Sequence, residues 1–556
     1  MKKHILLPAL LLCAAAPSAQ EPIERDVVVE SIYKPTVSQS EKRTFLPGEA
    51  EVKAFHEPIV YSFDSKNIGF SAFTPVQAQG ISLAQPQSKP GYFRLGFGNR
   101  TRTDILGGYT LKFSPRDVLD ARVCFDGWNY KAPFEKDGIE FTNSRHDLDG
   151  NVDYTHRSEN GSAFTTGIDF GHISVRYPTS PTAALATNEA DLQGGGSFGA
   201  RAAWNGQTRD GKDNLIDVNI STGWHLWNQK AWMGFGQKNH ESQTEFDLSL
   251  GYLMGNKGYL NAKFTNDFLN YGHGSANPTG YKMFYAFGFN PTWTYGSDEW
   301  NAVLGLHADM ENQGTIMQLA PDCHLTIAPN KVLKVQAHLG GGRDLNTFRS
   351  LYYTFPLWRG TFDRLPNSYT HLDARLQGDL RICNGLTLSA WGRWRYVRDM
   401  LFATDMMAPS GYLYTPLESH HTRVGSLGAR LGLEVRDILR MAAEISHNSY
   451  NMGEKYTYDY LLQYAAATEM NFDARLRITP DIYVNAGYRF ISFALDKDNP
   501  ASKKPVSDLS VGASYTLNET FDFFVQGGNL LNRHYAIFPG CPAPGIYVVA
   551  GTVIRF

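Results

Sequence analysis

Apolar and polar side chains alternate along most of the chain from about Tyr92 onward. The stretch 216–226 carries Ile, Val, Ile, Thr, Trp and Leu at its even positions and Asp, Asn, Ser, Gly and His at its odd ones. The same period of two recurs in 371–382, 468–478 and 508–517. Successive side chains of a strand point to opposite faces, so the pattern predicts strands with one apolar and one polar face. We therefore predict an all-β protein.

Short clusters of Gly, Pro, Asn, Asp and Ser separate the predicted strands, and such clusters reverse the chain. Ten of these turns are predicted, at 114–117, 158–161, 206–214, 255–258, 296–299, 329–331, 383–385, 436–437, 479–481 and 518–519. Longer connections alternate with them, for example 345–368 and 399–421. With both ends of the sheet on the side of the turns, this count predicts about 22 antiparallel strands.

Alternation alone does not distinguish a membrane barrel from a soluble β-sandwich or propeller. The predicted strands run about 10–14 residues, which suits a tilted membrane crossing of about 9–11 residues and exceeds the ~5–6 usual in soluble sheets. Short turns at one end and long loops at the other are the layout of outer-membrane barrels. Residues 92–556 are therefore predicted to form a transmembrane antiparallel β-barrel that contacts outer-membrane lipid.

The first residues predict export. Lys2 and Lys3 precede an apolar stretch, Ile5–Ala16, and small residues follow, which is typical of a secretory signal peptide over residues 1–19. No later run of about 18 apolar residues predicts a membrane helix. The formal net charge of −3 gives no basic excess, so nucleic acid is not a predicted partner. The five cysteines are widely spaced and contain no Cys-x-x-Cys, which supports neither a disulfide framework nor a zinc site.

The end of the chain, Ile546–Phe556, alternates like a strand and stops on an aromatic residue. The region resembles the C-terminal signature of TonB-dependent outer-membrane receptors at Asn529, Leu530, Asn532, Arg533, Tyr535, Pro544, Gly545 and Phe556. It departs at Ile546, where the family usually carries Arg. The resemblance implies a 22-strand barrel in the outer membrane of a Gram-negative bacterium. It also implies a last strand that pairs with the first, and recognition of Phe556 by the barrel-assembly machinery. Closure would remove sheet edges that lipid does not tolerate.

Residues 20–91 depart from that family, whose members carry a plug domain inside the barrel. The stretches 34–58 and 74–91 are polar and interrupted by proline, which is typical of extended chain. An independent domain usually has about 100–150 residues. We therefore predict an extended N-terminal segment and no full plug. Asp26, Val27, Val28, Val29 and Glu30 resemble a TonB box, the segment that pairs as a strand with TonB. An apolar anchor for the tail is the alternative.

Two groups of side chains are candidates for ligand contact. Charged residues at polar positions of neighbouring strands are predicted to line the lumen: Asp373, Arg375, Asp379, Arg381, Arg393 and Arg395. They fit either a ligand-binding or anion-selective lining or a ladder of cross-strand ion pairs. Aromatic residues of the long loops are Tyr352, Tyr353, Trp358, Tyr412, Tyr414, Tyr456, Tyr458 and Tyr460. They could contact a ligand from outside or form the girdle at the membrane interface.

No Ser-His-Asp or paired-carboxylate pattern stands out, so we predict no enzyme, cofactor or metal site. His420 and His421, beside Glu418, would point to opposite faces of a strand. The predicted function is uptake or passage of a small solute across the outer membrane, by a barrel that resembles a TonB-dependent receptor without its plug. The alternative is a structural or assembly subunit, its lumen occluded by its own N-terminal segment or by a periplasmic or outer-membrane partner. Barrels of this size usually hold a plugged lumen, which keeps the alternative open.

Overall fold

The computed structural model describes sixteen stretches of the chain. They are residues 89–133, 140–176, 193–209, 215–230, 238–254, 258–271, 283–297, 299–312, 317–354, 367–404, 406–407, 413–414, 417–453, 458–499, 502–538 and 541–556. All of them fall within one compact unit, Val60–Phe556. The predicted signal peptide and residues 20–88 lie outside the described residues.

The described wall is one antiparallel sheet of 22 strands. Its first half consists of β1 (Gly91–Gly98), β2 (Thr103–Lys112), β3 (Asp117–Pro133), β4 (Glu140–Arg157), β5 (Ala163–Arg176), β6 (Gln193–Arg209), β7 (Leu215–Lys230), β8 (Lys238–Leu253), β9 (Tyr259–Tyr271), β10 (Met283–Gly296) and β11 (Trp300–Glu311). Its second half consists of β12 (Met317–Ile327), β13 (Leu333–Asp344), β14 (Ser368–Cys383), β15 (Leu386–Ala403), β18 (Leu417–Val435), β19 (Leu439–Asn451), β20 (Ala466–Thr479), β21 (Ile482–Phe493), β22 (Val506–Thr516), β23 (Phe521–Gly528) and β26 (Tyr547–Arg555).

Two short hairpins stand apart from the wall. One pairs β16 (Met406–Met407) with β17 (Leu413–Tyr414), and the other pairs β24 (Ala536–Phe538) with β25 (Cys541–Pro542). The described helical segments are α1 (Phe348–Thr354) and two 3₁₀ turns, Asn99–Thr101 and Asp459–Tyr464. All of these elements lie in connections on the side of the long loops, so this end of the barrel carries the irregular structure.

The wall closes on itself because β26 pairs with β1. Thr552 lies opposite Leu95 in this pair, and Gly91 exchanges backbone hydrogen bonds of 2.9 and 3.0 Å with Phe556. The prediction of a closed transmembrane barrel of about 22 strands, with its last strand beside its first, is confirmed. The first strand begins at Gly91, one residue ahead of the predicted start of the barrel.

The ten predicted turns lie between consecutive strands of the wall, and two predicted boundaries differ by four residues or more. β6 continues to Arg209, which pairs with Leu215, so the first four residues of the predicted turn 206–214 belong to the strand. β15 extends into the predicted loop 399–421 as far as Ala403, which pairs with Leu417. The composition of 206–209 is polar and suggests a loop, whereas 400–403 is apolar; in both places backbone pairing with the neighbouring strand continues the sheet.

The two faces of the wall differ in polarity. Large apolar side chains are exposed on the outward face around the whole ring, from Phe93 on β1 to Leu427 on β18 and Val548 on β26. The inward face carries ion pairs, such as Arg201–Asp153 with a nitrogen–oxygen distance of 2.6 Å. An apolar exterior around a polar lumen is the arrangement of a barrel surrounded by lipid. Among the described residues, no helix is both long enough and apolar enough to cross a membrane.

Glycine lets the two closing strands approach each other. A Cβ atom on Gly98 would lie 2.1 Å from the carbonyl oxygen of Val548, and one on Gly551 would lie 2.1 Å from that of Leu95. Real Cβ atoms do not come so close to a backbone oxygen, and a backbone oxygen cannot swing away as a side chain can. The seam between β1 and β26 therefore depends on these two positions having no side chain.

Candidate functional site at the outer mouth and the lumen wall

The connection after β13 folds into the mouth of the barrel. The backbone N–H of Phe348, at the start of α1, donates a 2.7 Å hydrogen bond to Glu241 Oε2 on β8. Glu241 pairs across strands with Trp227, and both side chains are buried on the inward face. Since β9 to β12 lie between β8 and β13 in the wall, the connection spans the inner side of four strands before it reaches Glu241.

The Glu241 carboxylate accepts hydrogen bonds from the first backbone N–H groups of α1. Its other oxygen, Oε1, lies 3.5 Å from the N–H of Arg349. The first N–H groups of a helix have no partner within the helix and carry a partial positive charge, so a carboxylate there is stabilising. Because Glu241 is only 2% exposed, its charge depends on these contacts. Glu241 therefore fixes the loop to the far side of the mouth.

Apolar side chains seal the same contact. Phe348 and Leu351 of α1 are almost completely buried in one cluster with Leu269, Tyr271 and Phe284 of β9 and β10. The ring centroids of Tyr271 and Phe348 are 5.0 Å apart. Buried apolar surface stabilises such a contact by about 25 cal/mol per Å². The inner rim of the mouth is therefore a packed apolar surface rather than a wetted wall.

A second connection folds inward after β19. The 3₁₀ turn Asp459–Tyr464 buries Leu461 and Leu462 in the same apolar cluster, which also contains Val397 of β15 and Val424 of β18. The Ala494 N–H donates a 2.7 Å hydrogen bond to the carbonyl oxygen of Ala465, which ties the end of this connection to the segment after β21. Two separate connections thus narrow the mouth from different sides of the ring.

The residues of the C-terminal signature hold a third connection, 529–546. The N–H of Asn529 donates to Asp508 Oδ1 at 2.9 Å, and the hydroxyl of Tyr535 donates to Asp508 Oδ2 at 2.8 Å. Asn529 Nδ2 donates to the carbonyl oxygens of Arg533 at 3.0 Å and Pro544 at 2.7 Å. Burial, and after it the Asp508 carboxylate, raise the pKa of Tyr535, so the phenol keeps the proton that it donates.

The remaining signature positions complete the same fold. Asn529 and Asn532 have positive φ values of 44° and 48°, which asparagine tolerates better than most residues. A Cβ on Gly545 would lie 2.7 Å from a guanidinium nitrogen of Arg100, so glycine allows a close approach there. The Leu530 N–H donates to the Leu509 carbonyl oxygen at 3.0 Å. Phe556 faces outward and its ring stacks on Tyr109, with centroids 6.1 Å apart. These contacts hold the connection and the end of the last strand in place.

The six charged residues predicted to line the lumen lie on β14 and β15 and include both paired and unpaired groups. Arg393 Nε donates to Asp373 Oδ1 at 2.7 Å. Arg375 donates to Gln377 at 2.7 Å, and Gln377 Nε2 donates to Asp379 Oδ1 at 2.9 Å. Only Arg393–Asp373 is a cross-strand ion pair, whereas the other two contacts run along β14 through Gln377. Two further positions differ from these: Arg381 is exposed, and Arg395 is buried opposite Asp373 with its Nε unpartnered.

Few of the predicted loop aromatics have described side chains. Tyr458 is half-buried, with its ring centroid 4.2 Å from that of His420, and Tyr460 is exposed. The backbone of Tyr352 and Tyr353 belongs to α1, and that of Tyr414 to β17. The remaining predicted site residues lie outside the described residues: Trp358, Tyr412, Tyr456 and the TonB-box-like stretch Asp26, Val27, Val28, Val29 and Glu30.

Glu241 and Asp508 are the anchors that sequence reasoning missed. Each is one of several polar residues at the inward positions of an alternating strand. Their roles depend on backbone N–H groups brought from distant connections. The strand pattern carries no information about such a partner, so neither residue could be singled out.

The barrel shares its fold with TonB-dependent outer-membrane receptors. The resemblance drawn from the C-terminal signature is thus confirmed for the fold. With its apolar outer band, the architecture is that of a barrel of the Gram-negative outer membrane.

Three solved structures illustrate the likeness. The copper transporter OprC matches with a TM-score of 0.61 and 11% identity, over 85% of this chain and 82% of its own. The ferric enterobactin receptor PfeA from Pseudomonas aeruginosa gives 0.63 and 9%, over 85% and 81%. The FrpB iron transporter from Neisseria meningitidis gives 0.64 and 9%, over 85% and 82%. At these identities the likeness concerns the fold alone. No protein-family model and no curated protein matches the chain.

Proposed function

We propose that the protein mediates uptake or passage of a small solute across the outer membrane, as a barrel similar to TonB-dependent receptors but without a full plug. The observation that carries this proposal is a closed wall of 22 strands with a charged lumen and a mouth narrowed by its own connections. A polar lumen with a narrowed mouth, inside a lipid-facing barrel, supports selective passage rather than catalysis.

The neighbouring structures support the same proposal. They are described as a copper transporter, a ferric enterobactin receptor and an iron transporter. In this chain the proposed solute contacts are of two kinds. Tyr458, Tyr460 and the other loop aromatics would meet a ligand at the mouth, and the charged groups of β14 and β15 would meet it in the lumen.

The first experiment is single-channel conductance in planar bilayers. The mature chain, residues 20–556, is compared with a chain that begins at Lys89. Lys89 and Pro90 are kept because Lys89 Nζ donates to Thr520 Oγ1 at 2.6 Å and Pro90 accepts from the Thr110 N–H at 2.7 Å. We expect the shorter chain to conduct more than the mature chain, since residues 20–88 would restrict the lumen.

A third variant without residues 355–366 tests the mouth. If the chain that begins at Lys89 is silent and this further deletion opens it, the connections are the barrier and the passage proposal stands. Silence of all three correctly folded proteins would contradict passage. That outcome would favour the structural or assembly role, for which the buried apolar cluster at the mouth is the supporting observation.

TonB engagement is a separate proposal. Residues 26–30 would pair as a strand with TonB, so a Val28→Pro variant would lose binding because proline removes a backbone donor. Val28→Thr is the matched control, since threonine is also well suited to strands. Binding of a purified TonB periplasmic domain to the mature chain should fall only with Val28→Pro. Equal binding by all three chains would contradict the assignment, as would the absence of binding to the parent chain.

A further inference from the structure

Three polar side chains converge on the lumen face of β12 and β13. Asp322, His324 and His338 each place one potential ligand atom within 4.8 Å of the others. His324 Nε2 lies 3.0 Å from Asp322 Oδ1, and the rings of His324 and His338 stack with centroids 4.2 Å apart. Within the described ranges, no other three His, Cys, Asp or Glu side chains are grouped as a candidate metal site.

Strand geometry produces the convergence. Asp322 and His324 are two residues apart on one strand and therefore share a face. His324 and His338 are direct partners across β12 and β13, where opposite Cβ atoms lie about 4.5–5.5 Å apart. A Cβ on Gly340 would lie 2.4 Å from His338 Nε2, so glycine makes room for that ring. The register of β12 with β13 therefore brings the three side chains together.

Neighbouring strands hold the carboxylate in place. Asn290 Nδ2 on β10 donates to Asp322 Oδ2 at 2.9 Å, and His307 Nε2 on β11 lies 3.6 Å from the same oxygen. Oδ1 is thereby left directed at His324. Ligands oriented by hydrogen bonds from further residues are typical of metal sites. The His324 side chain is 48% exposed, so ions in the lumen can reach the cluster.

We propose that Asp322, His324 and His338 bind a divalent late first-row transition ion, of the Zn²⁺, Ni²⁺ and Cu²⁺ class, on the lumen wall. Imidazole nitrogens and a carboxylate oxygen suit these ions, and three protein ligands leave a position for water or another ligand. Two cations of β14 and β15 lie nearby. Arg375 is the direct cross-strand partner of His338 and donates to Gln377, and the charge of Arg393 is offset by its pairing with Asp373. Binding of a metal ion at this site is a separate property from the proposed passage of a solute and does not depend on it.

This differs from our expectation of no metal site. His324 and His338 stand fourteen residues apart, on opposite sides of a turn, and only the register of β12 with β13 brings them together. The adjacent histidines that the sequence does offer behave differently. The His420 ring packs against Tyr458, and its Nδ1 lies 2.8 Å from the His421 carbonyl oxygen.

The test uses the mature chain in detergent, purified without a histidine tag and stripped with a chelator. Cu²⁺ is the probe for electron paramagnetic resonance, and Zn²⁺ is titrated by calorimetry. We expect one ion per chain, with a nitrogen hyperfine pattern from imidazole. His324→Gln and His338→Gln should each abolish that signal, and Asn290→Ala should weaken binding about 10-fold. The matched control is His447→Gln, whose side chain is on the outward face of β19 and should bind as the parent does.

Two results would overturn the proposal: a parent chain that binds neither ion, or unchanged Cu²⁺ spectra in His324→Gln and His338→Gln. Folding of each variant is checked by heat-modifiable migration in gel electrophoresis. Should a histidine variant not fold, Asp322→Asn keeps the shape of the side chain and removes its charge. That variant should fold and bind Zn²⁺ more weakly, and equal affinity would contradict the site.

Discussion

Asp522 on β23 and Arg555 on β26 form an ion pair that is almost fully enclosed, with side chains 1% and 5% exposed. Asp522→Asn leaves the Arg555 guanidinium buried without its counter-charge. Breaking a buried pair from one side costs about 3–5 kcal/mol. We expect the free energy of unfolding to fall by that amount in a urea titration followed by tryptophan fluorescence.

The control for this prediction is the exposed pair Arg116–Glu159, whose side chains are 51% and 78% exposed. Exposed pairs contribute about 0–1 kcal/mol, so Glu159→Gln should leave the urea midpoint nearly unchanged. Equal effects of the two substitutions would contradict the importance of burial.

Gly98→Ala should prevent normal closure of the ring. The new Cβ would lie 2.1 Å from the Val548 carbonyl oxygen, so β1 and β26 must separate to admit it. Gly378→Ala on β14 is the matched control because no atom lies within 4 Å of its Cβ position. The fraction of heat-modifiable, closed barrel is measured for both. If the closed fraction of Gly98→Ala equals that of the control, the prediction is contradicted.

Glu241→Gln should loosen the connection that contains α1. Hydrogen bonds to a charged group contribute about 1.5–3 kcal/mol, and the amide keeps the shape but not the charge. Trypsin should then cleave faster at Arg359 or Arg364, and mass spectrometry measures the rate at which the fragments appear. Asp247→Asn, on the same strand, breaks only an exposed pair with Lys263 at 3.4 Å and should not change the cleavage rate. An identical rate for the Glu241 variant would show that the carboxylate does not hold the loop.

Tyr535→Phe removes one donor to Asp508 and should destabilise the fold by about 1–3 kcal/mol at neutral pH. Because the pKa of Tyr535 is raised above its unfolded value of about 10, its contribution is complete below pH 10. That contribution is lost as the pH rises toward the folded pKa. The difference in urea midpoint between parent and variant should thus be constant from pH 7 to 9 and shrink at higher pH. Tyr285→Phe, on the outward face, is the control; a difference that grows with pH would refute the assignment.

Much of the wall could be predicted because each strand carries its own two-residue period and each turn its own Gly, Pro, Asn or Asp. Closure could be inferred only through the C-terminal signature. The predicted edges of elements were wrong where backbone pairing continues a strand into a predicted connection, as at Arg209 and Ala403. Local composition cannot report such pairing.

The candidate sites were harder to predict because their contacts are long-range. Phe348 meets Glu241 across 107 positions of sequence, and Asn529 meets Asp508 across 21. His324 and His338 face each other only in one register. The charges of β14 and β15 could be found because they repeat along adjacent strands, but which of them pair, and the role of Gln377, could not.

Because β1 pairs with β26 like any other two neighbouring strands, no strand of the closed wall is structurally the first. Gly91 and Phe556 are joined by hydrogen bonds of 2.9 and 3.0 Å, so a short linker could connect them covalently without displacing either strand. New termini could then be opened at the tight turn Asn384–Gly385 between β14 and β15. Such a circular permutant would contain the same neighbours in the same order around the wall. The order of synthesis, and not the architecture, thus decides which pair of strands must meet last.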